Sequence, residues 1–461
     1  MNASPPVLPV ITTLAEYQTR FWIDVGHTWR QRGHQALFLS FDSRSNEMLG
    51  AAGLDFADAT PSAAAALLGS RDPREVCAAF EVEPLNFWLT HEKYAFDVAD
   101  SDALLRKLAG TLLVADAALA RAATLGRPAM VQELGGFLSV VGSHFAALHR
   151  GAPSWMIEPS FFRGRLLFLE GSVAARKFPP DMAGEMTGEV AAYLADTLDR
   201  GAIVIPQKDR HQYTTAFRKV VNMRNARRLT EKLLDKHLFG KEQEFGHIGS
   251  HVTQHARMVL NSRKLRRHYT PLEACGRFVY YPLHVPGDMA LTLRSPEYLD
   301  QLALIDYLCR VVPFGCKVAV KEHPAMIGAV PADRLIALAK RHDNLAILPP
   351  ATNNFAVLRQ AAAAITVNSK SGAEAGLVGL PVIVLGDAFY RNAPFAHPVD
   401  SLGQVAGAIE AALAGAQSRP TEERTRAWFA GLWPHTLPGE LYVSDPANVE
   451  AFTSSLEKTV G

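Results

Sequence analysis

The chain contains 461 residues, of which 48% are hydrophobic and 20% are charged, and its formal net charge at pH 7 is +1. This composition is typical of a globular protein with two or three domains, and the balanced charge gives no overall attraction to nucleic acid. The four cysteines are scattered and fit neither a disulfide framework nor a zinc site, which favours reduced thiols in a cytoplasmic protein. No apolar run approaches the ~18 residues that cross a bilayer. We also expect neither a metal ion nor a bound cofactor.

Residues 1–178 are predicted to form a first lobe. A helical pattern over residues 16–31 lies between apolar runs at 7–14 and 35–40, which is typical of a βαβ unit. A helix that ends in glycine before a buried strand recurs at 123–132. We therefore expect a parallel sheet with helices on both faces.

The next predicted strand, at residues 153–158, ends in Glu158. Aromatic residues follow at 161–162, and a carboxylate in such surroundings is suited to general acid catalysis. Glu158 could equally form an ion pair with Arg163 or Arg165.

Residues 179–271 are predicted to be a helical, basic linking segment. Lysines and arginines are frequent between residues 218 and 268. One interpretation is a solvated helical face. The other is a basic strip that contacts an anionic acceptor or the lipid headgroups of the inner membrane.

Residues 272–403 alternate between short strand and helix patterns, and residues 404–461 are predicted to be a helical tail. The alternation predicts a second, doubly wound α/β lobe. In such a lobe, ligands bind beyond the C-terminal ends of the strands, so the polar residues that follow strands are the first candidates for a site.

One such group follows the strand predicted at 364–367. Asn368, Ser369, Ser371 and Gly372 lead into a helix whose N-terminal amides suit a phosphate, and Glu374 is placed to bind a ribose diol. The alternative is an ordinary helix cap.

Two further groups follow strands of the same lobe. Lys321 and His323, held before Pro324, offer two donors to a phosphate ester. Asp288 lies in the loop after the first strand, where it can act as a nucleophile or base. Alternatively, Asp288 only stabilises the turn that Gly287 introduces.

In this order, the segments resemble the bacterial capsule and lipopolysaccharide glycosyltransferases of the GT-B fold that transfer Kdo, 3-deoxy-manno-octulosonic acid, from CMP-Kdo with retention. The resemblance covers residues 278–392 and 132–165. It rests on Lys-x-His-Pro, the serine turn before Gly-x-Glu-Ala, and a Gly-x-x-Phe-Tyr segment that begins at Gly386. His284 stands where many relatives carry glutamine, and Lys370 interrupts the serine turn.

The resemblance implies two Rossmann-like lobes with an interlobe cleft and no nucleic acid partner. It implies that residues 1–178 form the acceptor-side lobe, which meets a glycan or glycolipid acceptor, and that residues 272–403 bind a nucleotide-sugar donor. It implies that Asp288 forms a glycosyl-enzyme intermediate and that Glu158 is the acid/base, because retention by double displacement requires a carboxylate near the anomeric carbon. The residues implied in donor binding are Lys321, His323, Asn368, Ser369, Ser371, Gly372 and Glu374.

Three other functions fit the same segments. A polyol-phosphate transferase that uses CDP-glycerol shares the Lys/His-Pro and serine-turn layout, and nucleotide-sugar 2-epimerases share the two lobes. A catalytically silent scaffold of a polysaccharide assembly complex is the third. In that protein Asp288 would be a turn residue and Glu158 an ion-pair partner.

Overall fold

The computed structural model describes residues 6–201, 241–245, 248–415 and 420–461. Two sheets of seven and six strands organise these residues, one in each lobe. This arrangement confirms the predicted α/β class with two Rossmann-like lobes, the architecture of GT-B proteins. No helix in the described part of the chain has the length and apolar character needed to span a membrane.

The strands, in chain order, are β1 Val7–Thr13, β2 Leu37–Ser40, β3 Phe56–Asp58, β4 Arg127–Glu133, β5 Ser154–Pro159, β6 Arg165–Glu170, β7 Phe278–Pro282, β8 Lys317–Lys321, β9 Leu345–Leu348, β10 Ala363–Thr366, β11 Val382–Val384, β12 Ala396–Pro398 and β13 Leu437–Pro438. The first sheet has the order β13-β6-β5-β4-β1-β2-β3, and the second has the order β12-β11-β10-β7-β8-β9.

The α-helices, in chain order, are α1 Glu16–Gln31, α2 Ser43–Ala51, α3 Pro61–Leu68, α4 Pro73–Ala79, α5 Leu85–Phe96, α6 Ser101–Ala123, α7 Leu138–His149, α8 Gly188–Arg200, α9 Ile248–Leu265, α10 Met289–Thr292, α11 Gln301–Val311, α12 Ala332–Arg341, α13 Asn354–Gln360, α14 Lys370–Leu377, α15 Leu402–Leu413, α16 Glu422–Leu432 and α17 Pro446–Val460.

The first sheet is parallel from β1 to β5, as expected, but its β6 edge is antiparallel. The prediction of a parallel sheet is therefore wrong at this edge. The connection between Pro159 and Arg165 is too short for a crossover helix, so the chain must turn back on itself. Gly164, at φ +71°, supplies the left-handed backbone of that turn.

The second sheet is parallel throughout its described strands. The chain runs from β7 through β8 to β9 on one side and then returns to build β10, β11 and β12 on the other. Its strands are almost entirely apolar because helices cover both faces of a doubly wound sheet. The topological switch point of this lobe therefore lies between β7 and β10.

The C-terminal segment returns to the first lobe. The predicted helical tail contains three helices, α15 to α17, of which α15 still packs on the second lobe, and β13 adds an antiparallel strand to β6. The ring of Phe452 on α17 packs against Phe21 and Trp22 of α1, with ring centroids 4.9 and 5.5 Å apart. On α16, Phe429 packs against Phe161 of the first lobe and Phe395 of the second, so one aromatic cluster joins the lobes.

Residues 202–240 and 246–247 of the predicted basic segment lie outside the described residues. Its described part includes α9, which packs on the second lobe. Asn261 donates to the carbonyl of Gly328 (3.0 Å), and Lys264 pairs with Asp333 (2.8 Å). Contact of this segment with a membrane stays a prediction.

Candidate functional site at the lobe boundary

The C-terminal ends of β10, β7 and β8 lie side by side in the second sheet. His284 follows β7, Lys321 ends β8 and Asn368 follows β10. The structure therefore brings together, at the switch point, three segments that lie far apart in the sequence. This is the edge at which parallel α/β sheets bind their ligands.

Lys321 and Glu374 are ionisable side chains of opposite sign that are buried at this edge, each only 3% exposed. Burial lowers the pKa of Lys321, and the carboxylate of Glu374 opposes this shift. Burial likewise raises the pKa of Glu374, while Asn354 and Lys321 oppose it. Among the described residues, the Lys321 ammonium has no hydrogen-bond acceptor, so it retains donors for a phosphate.

Asn354, at the start of α13, organises the serine turn. Its amide donates to Ser371 Oγ (2.8 Å) and to Glu374 Oε2 (2.7 Å), and its oxygen accepts from Tyr280 Oη (2.9 Å). Ser371 and Glu374 are thus held against β7 by an amide that sequence reasoning missed. The local sequence offers no signal for this role, because Asn353 caps the helix and Asn354 resembles an ordinary first-turn residue.

His284 is a buried, neutral ring beneath the switch point. Its Nε2 accepts the backbone N–H of Asn368 (3.3 Å), which leaves the ring proton on Nδ1. Burial and the nearby His323 together lower the pKa of His284 to about 4, although hydrogen bonds to Asn368 and Gln301 oppose the shift. Nδ1 makes no hydrogen bond of normal geometry with the described residues. A buried donor of this kind favours a ligand acceptor.

Gln301 fixes the backbone of His284 from both sides. Its Oε1 accepts from the His284 N–H (2.7 Å), and its Nε2 donates to the His284 carbonyl (3.1 Å). His323, on the neighbouring strand end, accepts the N–H of Ala325 at Nδ1 (3.3 Å). The neutral His323 ring therefore carries its proton on Nε2.

Ser369 is the N-cap residue of α14, since its Oγ accepts the N–H of Ser371 (3.2 Å). Gly372 lies one turn into the same helix, where an added Cβ would lie 2.3 Å from Tyr390 Oη. Packing of Tyr390 on the helix thus requires glycine at this position, whatever ligand the turn binds.

Asn368 connects the serine turn to the loop that carries Asp288. Its amide donates to the carbonyl of Ala290 (2.5 Å) and to Ser295 Oγ (3.3 Å). Asp288 is exposed and caps α10, because its carboxylate accepts the N–H of Ala290 (2.9 Å). In this conformation Asp288 therefore stabilises the local turn, and the same side chain is the candidate nucleophile.

The Asp288 loop lies against the first lobe. Gly287 has φ +78°, and a Cβ there would come within 3.1 Å of Ala95 Cα on α5. On α10, Thr292 Oγ1 lies 2.8 Å from His91 Nδ1, a buried hydrogen bond between the lobes. Asp288 is consequently placed at the lobe boundary.

Glu158 pairs across the same boundary with Arg294, at 3.0 Å between Oε2 and Nη1. Neither Arg163 nor Arg165 is its partner, and Arg165 instead donates to the carbonyl of Thr436 (2.6 Å). Sequence reasoning missed Arg294 because the two partners lie 136 positions apart.

Lys370 also joins the lobes. Its ammonium donates to the carbonyls of Pro159 (2.9 Å) and Ser160 (2.8 Å), at the end of β5. The cation inside the serine turn thus binds the backbone that carries Glu158. Hydrogen-bond donors on the second lobe and a carboxylate on the first therefore lie at the same lobe boundary.

Similarities to known proteins are distant. Over 194 residues the chain is 28% identical to Protein FixF of Sinorhizobium fredii (strain NBRC 101917 / NGR234), covering 41% of this chain and 45% of that protein, so it spans less than half of that relative. It is also similar to the beta Kdo 2,7 transferase KpsC of Thermosulfurimonas dismutans, with 15% identity and a TM-score of 0.35. That similarity covers 74% of this chain and 88% of the other. Anabaena Alr3699/HepE in complex with UDP-glucose is similar with 12% identity and a TM-score of 0.33. That similarity covers 98% of this chain and 99% of the other. Scores this low assign neither a donor nor an activity.

The family comparison is stronger than these similarities. The model of the family described as "Capsule polysaccharide biosynthesis protein" matches residues 141–395, more than half of the chain. The matched stretch runs from α7 in the first lobe to the loop after β11 in the second, and so includes both sides of the lobe boundary. The chain belongs to the capsule polysaccharide biosynthesis protein family.

Proposed function

We propose that this chain is a glycosyltransferase that uses a nucleotide-activated sugar in capsule polysaccharide synthesis. The observation that carries the proposal is the meeting of His284, Lys321 and the N-terminus of α14 at the switch point of the second sheet. A phosphate bound there would accept from the Nδ1–H of His284, from the Lys321 ammonium and from the first amides of the helix.

These donors also suit the leaving group. When the sugar departs, negative charge grows on the phosphate, and donors fixed in a buried site stabilise that charge without reorganising. Lys321 and His323 supply positive charge and a hydrogen bond from neighbouring positions after β8. We therefore propose a transfer step that uses side chains rather than a metal ion to stabilise the leaving phosphate.

We further propose CMP-Kdo as the donor and retention as the stereochemical course. Asp288 attacks the anomeric carbon as CMP leaves, which forms a glycosyl-enzyme ester. An acceptor hydroxyl then attacks the same carbon, its proton passes to Glu158, and the aspartate carboxylate leaves. Two inversions give net retention. The location of Asp288 and Glu158 on opposite sides of one lobe boundary supports this assignment.

Thermal stability of the full chain with CMP, UDP and CDP-glycerol tests the donor class. We expect CMP to raise the melting temperature, because only a nucleotide that binds the folded state stabilises it. Stabilisation by UDP but not CMP would reject the CMP-Kdo proposal. Stabilisation by CDP-glycerol alone would favour a polyol-phosphate transferase, and no response to any nucleotide would favour the scaffold.

Intact mass spectrometry after incubation with CMP-Kdo tests the nucleophile. We expect Glu158→Gln to accumulate a Kdo adduct and Asp288→Asn to form none. Asparagine can still cap α10, so its loss of activity would not reflect a lost cap. Asp300→Asn is the matched control, because Asp300 caps α11 by the same kind of hydrogen bond, to Ala303 N–H at 3.2 Å. An adduct on Asp288→Asn would reject Asp288 as the nucleophile.

A further inference from the structure

The first sheet has its own switch point, between β1 and β4. From β1 the chain builds β2 and β3 on one side, and it later builds β4, β5 and β6 on the other. Ligands of open α/β sheets bind in the crevice at the C-terminal ends of such a strand pair. Four side chains meet there, and we name them the switch-point cluster: Tyr17, Gln18, Glu133 and Tyr442.

Glu133, the last residue of β4, is the centre of the cluster. Its Oε2 accepts from Gln18 Nε2 (3.3 Å) and from Tyr442 Oη (2.6 Å). The Oε1 atom of Gln18 accepts the N–H of Leu14, the first residue after β1 (2.8 Å). The carboxylate is thereby oriented by side chains that are themselves fixed to the strand ends.

Tyr442 reaches the cluster from the far end of the chain, between β13 and α17. Its backbone is left-handed, with φ +63°, although it is a bulky residue. Such a conformation costs free energy, so the surrounding contacts must hold this residue in place. The apolar face of α17 already holds the segment on α1 through Phe452. The ring of Tyr442 also packs edge-on against Phe21 of α1, with centroids 5.8 Å apart, so one side chain both helps to hold the tail and orients the Glu133 carboxylate.

Tyr17 completes the cluster with an aromatic surface. Its side chain is 57% exposed, and its ring packs edge-on against Tyr442 with centroids 5.3 Å apart. An exposed aromatic ring beside an oriented carboxylate is the combination that binds a saccharide. The ring covers the apolar face of the sugar, while charge-assisted hydrogen bonds fix its hydroxyls.

We propose that the switch-point cluster binds a saccharide unit of the acceptor glycan, an inference that rests on the proposed function. Glu133 pairs in register with Ile157, so it lies one strand spacing, about 5 Å, from the strand that ends in Glu158 and Pro159. Because side chains alternate along a strand, Glu133 and Glu158 point to opposite faces of the sheet. The cluster therefore holds a unit at the same sheet edge as the reacting sugar but on the opposite face, and the acceptor chain crosses the edge between them.

Saturation-transfer difference NMR on the full chain tests this proposal. The probes are methyl glycosides of glucose, galactose, mannose, rhamnose and glucuronic acid, with CMP as an internal reference. We expect the wild type to saturate at least one glycoside, and Tyr17→Ala and Glu133→Gln each to reduce that signal by about fivefold or more while the CMP signal is unchanged. Tyr17 is exposed, so its replacement does not threaten folding.

Ser455→Ala is the matched control. Ser455 Oγ donates to the carbonyl of Pro438 (2.7 Å) and so helps to hold the tail without contacting the cluster. Its glycoside signal should equal that of the wild type. Glycoside signals that survive both Tyr17→Ala and Glu133→Gln would overturn the proposal, as would a wild type that binds CMP but no glycoside. Failure of CMP to bind, with glycoside signals that depend on Tyr17, would instead reject the proposed function and leave a saccharide site.

Discussion

Arg294 and Glu158 join the two lobes through an ion pair of 3.0 Å, and their side chains are only 10% and 16% exposed. The Nε of Arg294 also donates to the carbonyl of Val173 (2.8 Å), and this second hydrogen bond helps to hold the guanidinium in place. Arg294 on the second lobe thus orients the carboxylate of the candidate acid/base, whose backbone is placed by β5 of the first lobe.

Arg294→Met should destabilise the protein by about 2–4 kcal/mol, because it leaves the mostly buried Glu158 carboxylate without its partner. Glu158→Gln in the same chain should recover a large part of that loss. Urea denaturation of the two single variants and the double variant measures the coupling. Arg20→Met, which breaks an exposed pair with Glu16 on α1, is the control and should cost less than about 1 kcal/mol. Equal losses from both arginines would contradict the special role of the interlobe pair.

Lys370→Met removes the two hydrogen bonds to Pro159 and Ser160. We expect a loss of about 1–3 kcal/mol in stability, together with CMP affinity within about threefold of the wild type. The reason is that the ammonium binds first-lobe carbonyls and not the phosphate. Denaturation and calorimetry measure the two effects.

Arg277→Met is the control for this variant. Arg277 also donates to a carbonyl, that of Leu413 (2.9 Å), but it is exposed and the bond stays within the second lobe. A loss of CMP affinity greater than about tenfold in Lys370→Met would show instead that Lys370 is a phosphate ligand.

Local patterns in the sequence predict much of this fold. The helix predicted over residues 16–31 is α1 to the residue, and β10 lies within one residue of the strand predicted at 364–367. Hydrophobic periodicity and glycine punctuation suffice for such elements because they are set by neighbours in the chain. The expectation that polar residues after strands gather at one edge follows from parallel topology and needs no contact information.

The rest of the site depends on contacts that no local pattern records. Arg294 forms its ion pair with Glu158 across the lobe boundary. Asn354 contacts Ser371 because the helices that carry them pack together. Tyr442, with its left-handed backbone, lies in the C-terminal tail, whose sequence predicts only helix. In each case the partner is selected by the tertiary arrangement, so single-sequence reasoning finds the side chain's chemistry without finding its role.

Stability should depend on pH through Glu322, which is 2% exposed and accepts the N–H of Gly328 (3.0 Å). Burial raises its pKa from 4.5 to about 7. The folded state therefore holds this proton more tightly than the unfolded chain. The resulting stabilisation is present below pH 4.5 and is lost as the pH rises through about 7.

Glu322→Gln removes this titration. Relative to the wild type, the variant should gain about 1–3 kcal/mol of stability when the pH is raised from near 5 to near 8. Urea denaturation at the two pH values measures the change. Glu410→Gln on the exposed face of α15 is the matched control and should track the wild type. A stability difference between Glu322→Gln and the wild type that does not change with pH would contradict the assignment.

Lys321 gives the sharpest test of the donor site, because β8 carries a second lysine at its other end. Lys321→Met should weaken CMP binding by about 1.5–3 kcal/mol, the scale of a charge-assisted hydrogen bond to phosphate. Lys317→Met should leave it unchanged, since Lys317 lies at the N-terminal edge of the sheet, where its ammonium donates to the carbonyl of Ala274 (3.1 Å). Calorimetric titration with CMP measures both, and melting temperatures verify that each variant is folded. Equal affinities in the two variants would place the nucleotide away from the C-terminal edge of β8. A loss of CMP affinity in Lys321→Met alone would mean that Lys321 binds the phosphate. Phosphate binding would then explain a cation buried at the switch point, because burial is otherwise unfavourable for the charges of both Lys321 and Glu374.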